Sequence, residues 1–246
     1  MTVYPNVKLN LGLKVLRKRP DGYHDIETLF IPYCGLHDTL EITPCGGSLR
    51  FEADVPWDND LTVQAYRLLQ TDFDLPPVCI RLIKGAPVGA GLGGGSADAA
   101  FTLRALNELF NLALSDAQLS AYAARLGSDC PFFIYNRPML GTGRGEILTP
   151  FDIDLSPFEI KVLTPDIHVS TKEAYEGIVA AEAESITGIL SLPVEQWRGR
   201  LENDFEVSVF RKYPQIAAAK ETLYSQGAVY AAMSGSGSAV FGLFRK

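Results

Sequence analysis

Glycines are concentrated in one short stretch, at the point where a strand pattern passes directly into a helix pattern. The segment Pro87–Ala97 holds five glycines in eleven residues. Glycine lets the backbone adopt positive φ and approach a ligand closely, and the free N–H groups of a first helical turn attract an anion. A flexible turn before a capped helix is the alternative, but such a turn needs only one or two glycines. This segment, called the glycine loop below, therefore predicts a phosphate site.

Three familiar phosphate loops do not fit this segment. A Walker A loop fails because Gly95 stands where lysine must follow Gly89-x-x-x-x-Gly94. The spacing Gly89-x-Gly91-x-x-Gly94 matches a dinucleotide fingerprint, but the second parallel strand that this fold needs is missing. A protein-kinase loop fails because neither Val-Ala-Ile-Lys nor His-Arg-Asp follows. The glycine loop therefore belongs to another type of phosphate site.

The elements around the loop alternate between strands and helices without regular βαβ order. Apolar residues at every second position predict a strand over residues 7–15, with Lys8, Asn10, Gly12 and Lys14 on its other face. The same period predicts strands at 78–82 and 158–162, and residues 26–33 and 38–42 look like further strands. Residues 228–233 and 239–244 lie on either side of the Ser-Gly-Ser-Gly-Ser turn and suggest two strands joined by a tight turn. The mixed order favours an α+β fold. The glycine-rich stretch 141–150 suggests a division into domains at residues 1–150 and 151–246.

Polar residues before apolar periods predict where the helices begin. Asp58-Asn59-Asp60 offers an N-cap for a helix starting at Leu61. Ser96 is predicted to cap a helix that carries Ala99, Leu103, Leu106 and Phe110 on one side. Ser115 and Gln118 form a capping box for a helix that stops near Gly127.

Composition excludes several function classes. The 246 residues carry a formal net charge of −7, so no broad basic face is expected to bind nucleic acid or an anionic membrane. The four cysteines form no Cys-x-x-Cys pair and the three histidines add no cluster, so no metal site is predicted. No signal-type N-terminus and no run of ~18 apolar residues is present, and scattered thiols suit a reducing compartment. A cytoplasmic location is therefore expected.

The glycine loop resembles the ATP-binding loop of the GHMP superfamily of small-molecule kinases, which has the form Pro-x-x-x-Gly-Leu-Gly-(small)-Ser. The turn Ser234-Gly-Ser-Gly-Ser238 resembles the family's second glycine motif. Further blocks resemble one branch of the superfamily and follow its order along nearly the whole chain. They are Lys8-Leu-Asn-Leu-Gly-Leu13, Arg19-Pro-Asp-Gly-Tyr-His24, Thr28-Leu-Phe30, Leu126-Gly-Ser-Asp-Cys-Pro-Phe132, Gly143-Arg-Gly-Glu-Ile-Leu148 and Asn203-Asp-Phe-Glu206.

The resemblance implies a fold and a reaction. The expected fold has two subdomains, an N-terminal part like ribosomal protein S5 domain 2 and a ferredoxin-like C-terminal part, with the active site in the cleft between them. The expected reaction transfers the γ-phosphoryl group of ATP, with Mg²⁺, to a tertiary hydroxyl of a small polyol linked to cytidine diphosphate. That step belongs to the non-mevalonate isoprenoid pathway. The expected partner is thus a small molecule; the association state is left open.

The resemblance also assigns residues. Asp129 is expected to accept the hydroxyl proton, while Lys8 orients the hydroxyl and stabilises negative charge. Tyr23 and Tyr175 are expected to sandwich the cytosine ring, with His24 reading its polar edge and Asn10 on the diphosphate side. Ser96 is expected to contact a phosphate or Mg²⁺ as well as to cap its helix. The ATP-binding residues are expected to be Pro87, Val88, Gly89, Ala90, Gly91, Leu92, Gly93, Gly94, Gly95, Ser96 and Ala97.

Some positions depart from the family pattern, and two other functions are compatible with the loop. Asp60 stands where asparagine is common near the adenine, and Ala97 replaces a frequent second serine. The chain ends at Lys246, whereas the family usually continues with a further helix and strand, so a smaller C-terminal domain or a shortened chain is expected. A homoserine- or mevalonate-type kinase would share the glycine loop but would have no use for Tyr23 and His24. A nucleotide-binding regulator without catalysis would have no use for Lys8 and Asp129.

Overall fold

The computed structural model describes residues 1–55, 59–176, 178 and 185–246. Asp58 of the predicted N-cap motif therefore lies outside the described residues. The described strands are β1 Thr2–Val3, β2 Asn6–Lys18, β3 His24–His37, β4 Thr39–Pro44, β5 Arg50–Ala53, β6 Val78–Ile83, β7 Met139–Thr142, β8 Ile147–Pro150, β9 Phe158–Leu163, β10 Tyr230–Met233 and β11 Val240–Arg245. The described α-helices are α1 Leu61–Gln70, α2 Gly94–Leu109, α3 Asp116–Leu126, α4 Cys130–Tyr135, α5 Thr171–Glu176, α6 Ile186–Leu190, α7 Phe205–Lys212 and α8 Pro214–Ser225.

The chain divides into two compact units whose segments alternate along the sequence. The first unit consists of Met1–Lys8, Pro32–Val88 and Gly93–Arg137. The second unit consists of Leu9–Ile31, Gly89–Leu92 and Pro138–Lys246. Strand β2 and the glycine loop each contribute residues to both units. The predicted domain boundary at residue 150, and the placement of the active site in a cleft, stay predictions.

Among its described residues, the first unit combines one sheet with four helices. Its strand order is β1-β4-β6-β5, with β5 parallel to β6 and the other pairs antiparallel. The register places Leu40 opposite Leu82 and Ile42 opposite Ile80, and all four side chains are buried. Helix α2 packs against α1, α3 and α4 as well as against β4. The helix that follows the glycine loop is therefore held on several sides.

The second unit contains two further sheets, with strand orders β2-β3-β7-β8 and β10-β11-β9. Strand β11 lies between two antiparallel neighbours, β10 and β9. A buried cluster joins the strands to α7 and α8 through Val209, Ile216, Leu223, Met233 and Val240. Burial of this apolar surface is the main stabilising contribution to such a unit.

The structure confirms the α+β class and most of the predicted elements. Asp60 caps α1 by accepting a hydrogen bond from the backbone of Thr62, and Ser115 and Gln118 form the predicted capping box. The prediction that Ser96 caps a helix was wrong, because α2 begins earlier, at Gly94. Its N-cap is Gly93, whose left-handed backbone starts the helix without a side-chain cap. Ser96 is consequently the third residue of the helix.

Candidate active site

Lys8 and Asp129 come together within the first unit. The Lys8 ammonium lies 3.6 Å from the Asp129 carboxylate; the lysine side chain is 4% exposed and the aspartate side chain 34%. Burial lowers the pKa of Lys8, although the charge of Asp129 opposes this effect. The pair therefore combines a buried cation with a carboxylate that solvent or a ligand can reach.

The local sequence explains where each partner stands. Lys8 lies near the start of β2, which is buried on both faces here rather than on one. Asp129 is the N-cap residue of α4, and Pro131 follows in the first turn of that helix. The Asp129 side chain accepts no capping hydrogen bond from the helix. Its position at the helix start thus leaves its oxygens available for other contacts.

Gly93 brings the backbone of the glycine loop against Lys8. Its φ is +74°, and a Cβ atom there would lie 3.2 Å from Lys8 Cγ and 3.1 Å from Phe133 Cζ. Glycine is therefore required both by the backbone conformation and by the close approach. As a result, the N-terminal turn of α2 begins directly beside the lysine. The free N–H groups of that turn can bind an anion.

Cys130, next to Asp129 in sequence, is an inert neighbour of this pair. Burial raises the pKa of its thiol to about 12, although a hydrogen bond with Ser96 opposes the shift. A thiol in that state is neither a nucleophile nor a metal ligand. The contact ties the first turn of α2 to the start of α4, and so links Ser96 to the element that carries Asp129.

In the second unit, residues 89–92 of the glycine loop pack on the turn Ser234–Ser238. A Cβ atom on Gly91 would lie 2.2 Å from the carbonyl oxygen of Ser234, so only glycine fits there. The backbone N–H of Ala239 also donates to the carbonyl of Ala90 at 3.1 Å. The two glycine motifs found in the sequence are therefore one packed structure.

Two buried polar side chains hold the serine–glycine turn in place. Asn203 donates to the carbonyl oxygens of Met233 and Gly235, both at 2.8 Å. Glu206 accepts a hydrogen bond from the backbone of Met233 at 2.8 Å. The Asn203–Glu206 block thus supports the turn that supports the loop, a role that the sequence alone did not reveal.

The other predicted loop residues differ in exposure. Ala90, Leu92 and Ala97 are buried. Their side chains belong to the core, and only their backbone atoms are available to a ligand of the loop. Val88 and Gly95 are exposed. Pro87, Gly89 and Gly94 complete the segment, and Gly89 adopts φ +71° against the ring of His168.

Asn10 lies inside the second unit and makes several internal contacts. Its amide donates to Thr28 Oγ1 at 2.9 Å, and its oxygen lies 3.4 Å from the hydroxyl of Ser234. Thr28 in turn donates to the carbonyl of Gly12 at 2.6 Å. Asn10, on β2, thus contacts both β3 and the serine–glycine turn. Its predicted contact with substrate stays a prediction.

The aromatic residues predicted to bind cytosine all lie in the second unit. His24 and Tyr175 stack on each other with ring centroids 4.6 Å apart and an interplanar angle of 14°. Tyr175 also meets Phe205 edge to face at 4.7 Å. Tyr23 is 56% exposed, and the guanidinium of Arg144 lies 4.8 Å from its ring centroid. In this structure Tyr175 faces His24; a sandwich of Tyr23 and Tyr175 around cytosine stays a prediction.

Two further features of the second unit bear on ligand binding, the charge state of His24 and a cavity. Burial and the charge of Lys18 lower the pKa of His24, so its imidazole is neutral at neutral pH and can both donate and accept hydrogen bonds. A cavity of about 820 Å³, lined in part by Arg19, Asp25 and Gly143, lies in the same unit. Ligand pockets typically have volumes of ~300–1,000 Å³.

A second buried lysine lies under the start of α2. Lys84 forms ion pairs with Asp38 and with Asp98, the latter at 2.6 Å, and all three side chains are buried. Burial raises the pKa of Asp98 to about 8, while Lys84 opposes the shift. Burial lowers the pKa of Lys84, but the two carboxylates raise it above its ordinary value. We call these three residues the Lys84 cluster; no sequence pattern had indicated it.

Within the described ranges, no three His, Cys, Asp or Glu side chains are grouped as metal ligands. The same ranges contain no helix long and apolar enough to cross a bilayer. Mg²⁺ in phosphoryl-transfer enzymes is commonly held by substrate phosphates, water and one or two protein oxygens. The hydroxyl of Ser96, in the first turn of α2, is compatible with such a shared site.

Comparisons with known proteins identify the family. Residues 60–137 match the GHMP kinases N terminal domain, and residues 192–246 match the GHMP kinases C terminal domain. A 4-diphosphocytidyl-2-C-methyl-D-erythritol kinase of Azobacteroides pseudotrichonymphae is 50% identical over 252 residues, covering 100% of this chain and 94% of that protein. One of Bacteroides fragilis is 49% identical, covering 99% and 92%. The chain belongs to the 4-diphosphocytidyl-2-C-methyl-D-erythritol kinase family.

Solved structures agree with this family. A crystal structure of a 4-(cytidine 5'-diphospho)-2C-methyl-D-erythritol kinase superposes with a TM-score of 0.85 at 34% identity, covering 99% of this chain and 90% of that one. A homoserine kinase from Cytophaga hutchinsonii superposes with a TM-score of 0.67 at 17% identity, covering 98% and 85%. The second likeness shows the fold alone. The predicted GHMP kinase fold and ATP as co-substrate are confirmed by these comparisons, and the chain is a phosphotransferase of the 4-diphosphocytidyl-2-C-methyl-D-erythritol kinase family.

Proposed function

We propose that this kinase transfers the γ-phosphoryl group of ATP to the 2-hydroxyl of 4-diphosphocytidyl-2-C-methyl-D-erythritol, a step of the non-mevalonate route to isoprenoids. The observation that carries the proposal is the pairing of Lys8 and Asp129 at 3.6 Å beside Gly93 of the glycine loop. Cation, carboxylate and phosphate-binding backbone are the groups that phosphoryl transfer to an alcohol requires.

The reaction follows from these groups. The Asp129 carboxylate accepts the proton of the substrate hydroxyl while the hydroxyl oxygen forms a bond to the γ-phosphorus of ATP. The bond between that phosphorus and the bridging oxygen breaks, and ADP leaves with the electron pair. Lys8 orients the hydroxyl and stabilises the negative charge that develops on it. The backbone N–H groups at the start of α2 hold the phosphates in line with the attacking oxygen.

Mg²⁺ fits this proposal as a partner of ATP. It would be held by ATP phosphates and water, with the Ser96 hydroxyl as the protein oxygen available to it, and it would neutralise phosphate charge. The protein's own share of charge neutralisation falls to Lys8 and to the N-terminal turn of α2.

Tyr23, His24 and Tyr175 are the groups that recognise the cytidine. An exposed tyrosine ring can stack on a pyrimidine, and a neutral histidine can read its polar edge. Asn10 is proposed to lie on the diphosphate side of the substrate. The described cysteines are all unpaired, which suits a reducing compartment, and the proposal therefore places the reaction in the cytoplasm.

A substrate panel tests the proposal. Purified protein with Mg²⁺ and ATP is offered the cytidine substrate, mevalonate and homoserine, and ADP release is followed in a coupled assay. The ³¹P spectrum of the product then locates the new phosphate: an ester of the tertiary 2-hydroxyl has no hydrogen on the bonded carbon and gives no three-bond P–H splitting. Asp129→Asn serves as the matched control for contaminating kinases.

The expected result is turnover of the cytidine substrate alone, with an unsplit product signal. Comparable kcat/KM for mevalonate or homoserine would overturn the substrate assignment and favour another kinase of the superfamily. ATP binding without turnover of any alcohol would favour the non-catalytic regulator.

A further inference from the structure

The Tyr23 ring stands at the surface, yet its backbone is tightly fixed. Its carbonyl accepts a hydrogen bond from the backbone of Arg19 at 2.7 Å, and its own N–H donates to the Asp21 carboxylate at 3.1 Å. Gly22 supplies the positive φ, +86°, that this turn between β2 and β3 requires. The turn thus fixes where the ring begins but does not by itself fix the plane in which the ring lies.

Arg144 contacts the ring from the turn between β7 and β8. Its guanidinium carbon lies 4.8 Å from the Tyr23 centroid, within the range of a cation–π interaction. Asp21, on the Tyr23 turn, carries a charge that Arg144 attracts. The two turns are therefore joined by a cation–ring contact and by an attraction between opposite charges.

Arg144 is itself held from several sides. Its backbone N–H donates to Glu146 Oε2 at 2.5 Å, and its Nε lies 3.6 Å from Glu146 Oε1. It stands between Gly143 and Gly145, whose φ values of +68° and +103° make the turn. The carbonyl of Gly143 also accepts a hydrogen bond from the backbone of Ile26 at 2.7 Å, which ties the turn to β3.

We propose that Arg144 is a positioning residue for Tyr23, covering one face of the ring so that the opposite face is presented to the pyrimidine of the substrate. The inference rests on the proposed function, because it requires a cytidine to stack on Tyr23. If Arg144 already orders the Tyr23 ring, less conformational entropy is lost when the substrate binds. The benefit belongs to substrate affinity, not to the chemical step.

A double-mutant cycle tests this role. Arg144→Met keeps the apolar stem and removes the guanidinium, and it is compared with wild type, Tyr23→Leu and the double variant. Because cation–π contacts at exposed sites are weak, KM for the cytidine substrate should rise about two- to fivefold in Arg144→Met, with kcat and KM for ATP unchanged. In the Tyr23→Leu background the same change should have no further effect. Arg198→Met, which removes an exposed guanidinium 4.0 Å from the ring centroid of Tyr224, is the matched control and should leave all three constants unchanged.

Each other outcome overturns the proposal. An equal rise in KM in both backgrounds would mean that Arg144 binds the substrate directly, at its diphosphate. A parallel loss of thermal stability and of ATP affinity would mean a purely structural role for the turn. An unchanged KM in Arg144→Met would mean that the ring needs no support. Failure of the proposed function is distinguishable, because wild-type protein would then not turn over the cytidine substrate at all.

Discussion

Two lysines are buried in the first unit, and the carboxylates around them differ in number and in exposure. Lys8 faces Asp129 at 3.6 Å, and that aspartate is about one-third exposed. Lys84 is in tight contact with two aspartates, Asp38 and Asp98, both of them buried. Asp38 also accepts hydrogen bonds from the backbone of Gly85 and Ala86, both at 2.8 Å.

The difference appears in the pKa of each lysine. Burial lowers the pKa of Lys8, and its one carboxylate does not make up for it. Burial also lowers the pKa of Lys84, but two carboxylates overcome this effect and raise it. A buried charge with incomplete compensation is typical of a reacting site, whereas a saturated cluster is typical of a structural one. We therefore infer that Lys84 supports the start of α2 and that Lys8 acts beside it.

The largest effect on stability is expected when the Lys84 cluster loses its cation. Lys84→Met would leave two buried aspartates without a partner, and breaking a buried pair in this way costs about 3–5 kcal/mol of the free energy of unfolding. Urea unfolding measures the loss. Lys161→Met, at an exposed pair with Glu159, is the control and should change the free energy by less than about 0.5 kcal/mol. Equal losses in the two variants would remove the distinction between the two lysines.

A smaller effect is expected from the pH dependence of stability. The pKa of Asp98 is raised from 3.8 to about 8 in the folded protein, so its stabilising contribution is complete below pH 3.8 and is lost as pH rises to about 8. Asp98→Asn removes that proton equilibrium. The free energy of unfolding of this variant should therefore gain on that of the wild type as the pH rises from 4 to 8. Asp74→Asn, at an exposed aspartate, is the control, and a constant difference for Asp98→Asn across this range would contradict the prediction.

The smallest effect concerns the proton on Lys8. Burial lowers the pKa of Lys8 below its ordinary value of 10.5. We therefore expect kcat to begin to fall at a pH below 10.5, and then to fall tenfold for each additional pH unit. The thiol of Cys130 does not interfere, since its pKa is raised to about 12. Lys8→Arg keeps its charge and should move the decline to higher pH, while Lys14→Arg should not. A wild-type kcat that stays constant up to pH 10.5 would mean that the Lys8 proton is not used.

The sequence predicted elements wherever a local period or cap was clear. The alternation in β2 and the capping box at Ser115 are examples, because both depend on residues that are close in the chain. The helices α7 and α8 were missed. Val207, in the middle of α7, is exposed, so the apolar period there is weak. These two helices pack against each other, and α8 also packs against β10 and β11, which is tertiary packing that no local period shows.

The candidate site also contains residues that the sequence predicted and residues that it did not. Spacing alone could not pair Lys8 with Asp129, and the family resemblance supplied both residues separately. The Lys84 cluster had no signal in the sequence. Its members lie far apart in the chain: Asp38 between β3 and β4, Lys84 directly after β6, and Asp98 in α2. Arg144 lay within a block that had been recognised, but nothing in the sequence placed it on Tyr23.

The most direct test of the account compares the chemistry with ATP binding in Asp129→Asn. The substitution keeps the shape of the side chain and removes its ability to accept the proton. The account predicts that kcat falls by ~10²-fold or more, while the Kd for ATP changes less than about twofold. Asp98→Asn, measured in parallel, should keep its kcat. If kcat of Asp129→Asn stays near the wild-type value, Asp129 does not accept the proton, and the central claim is contradicted.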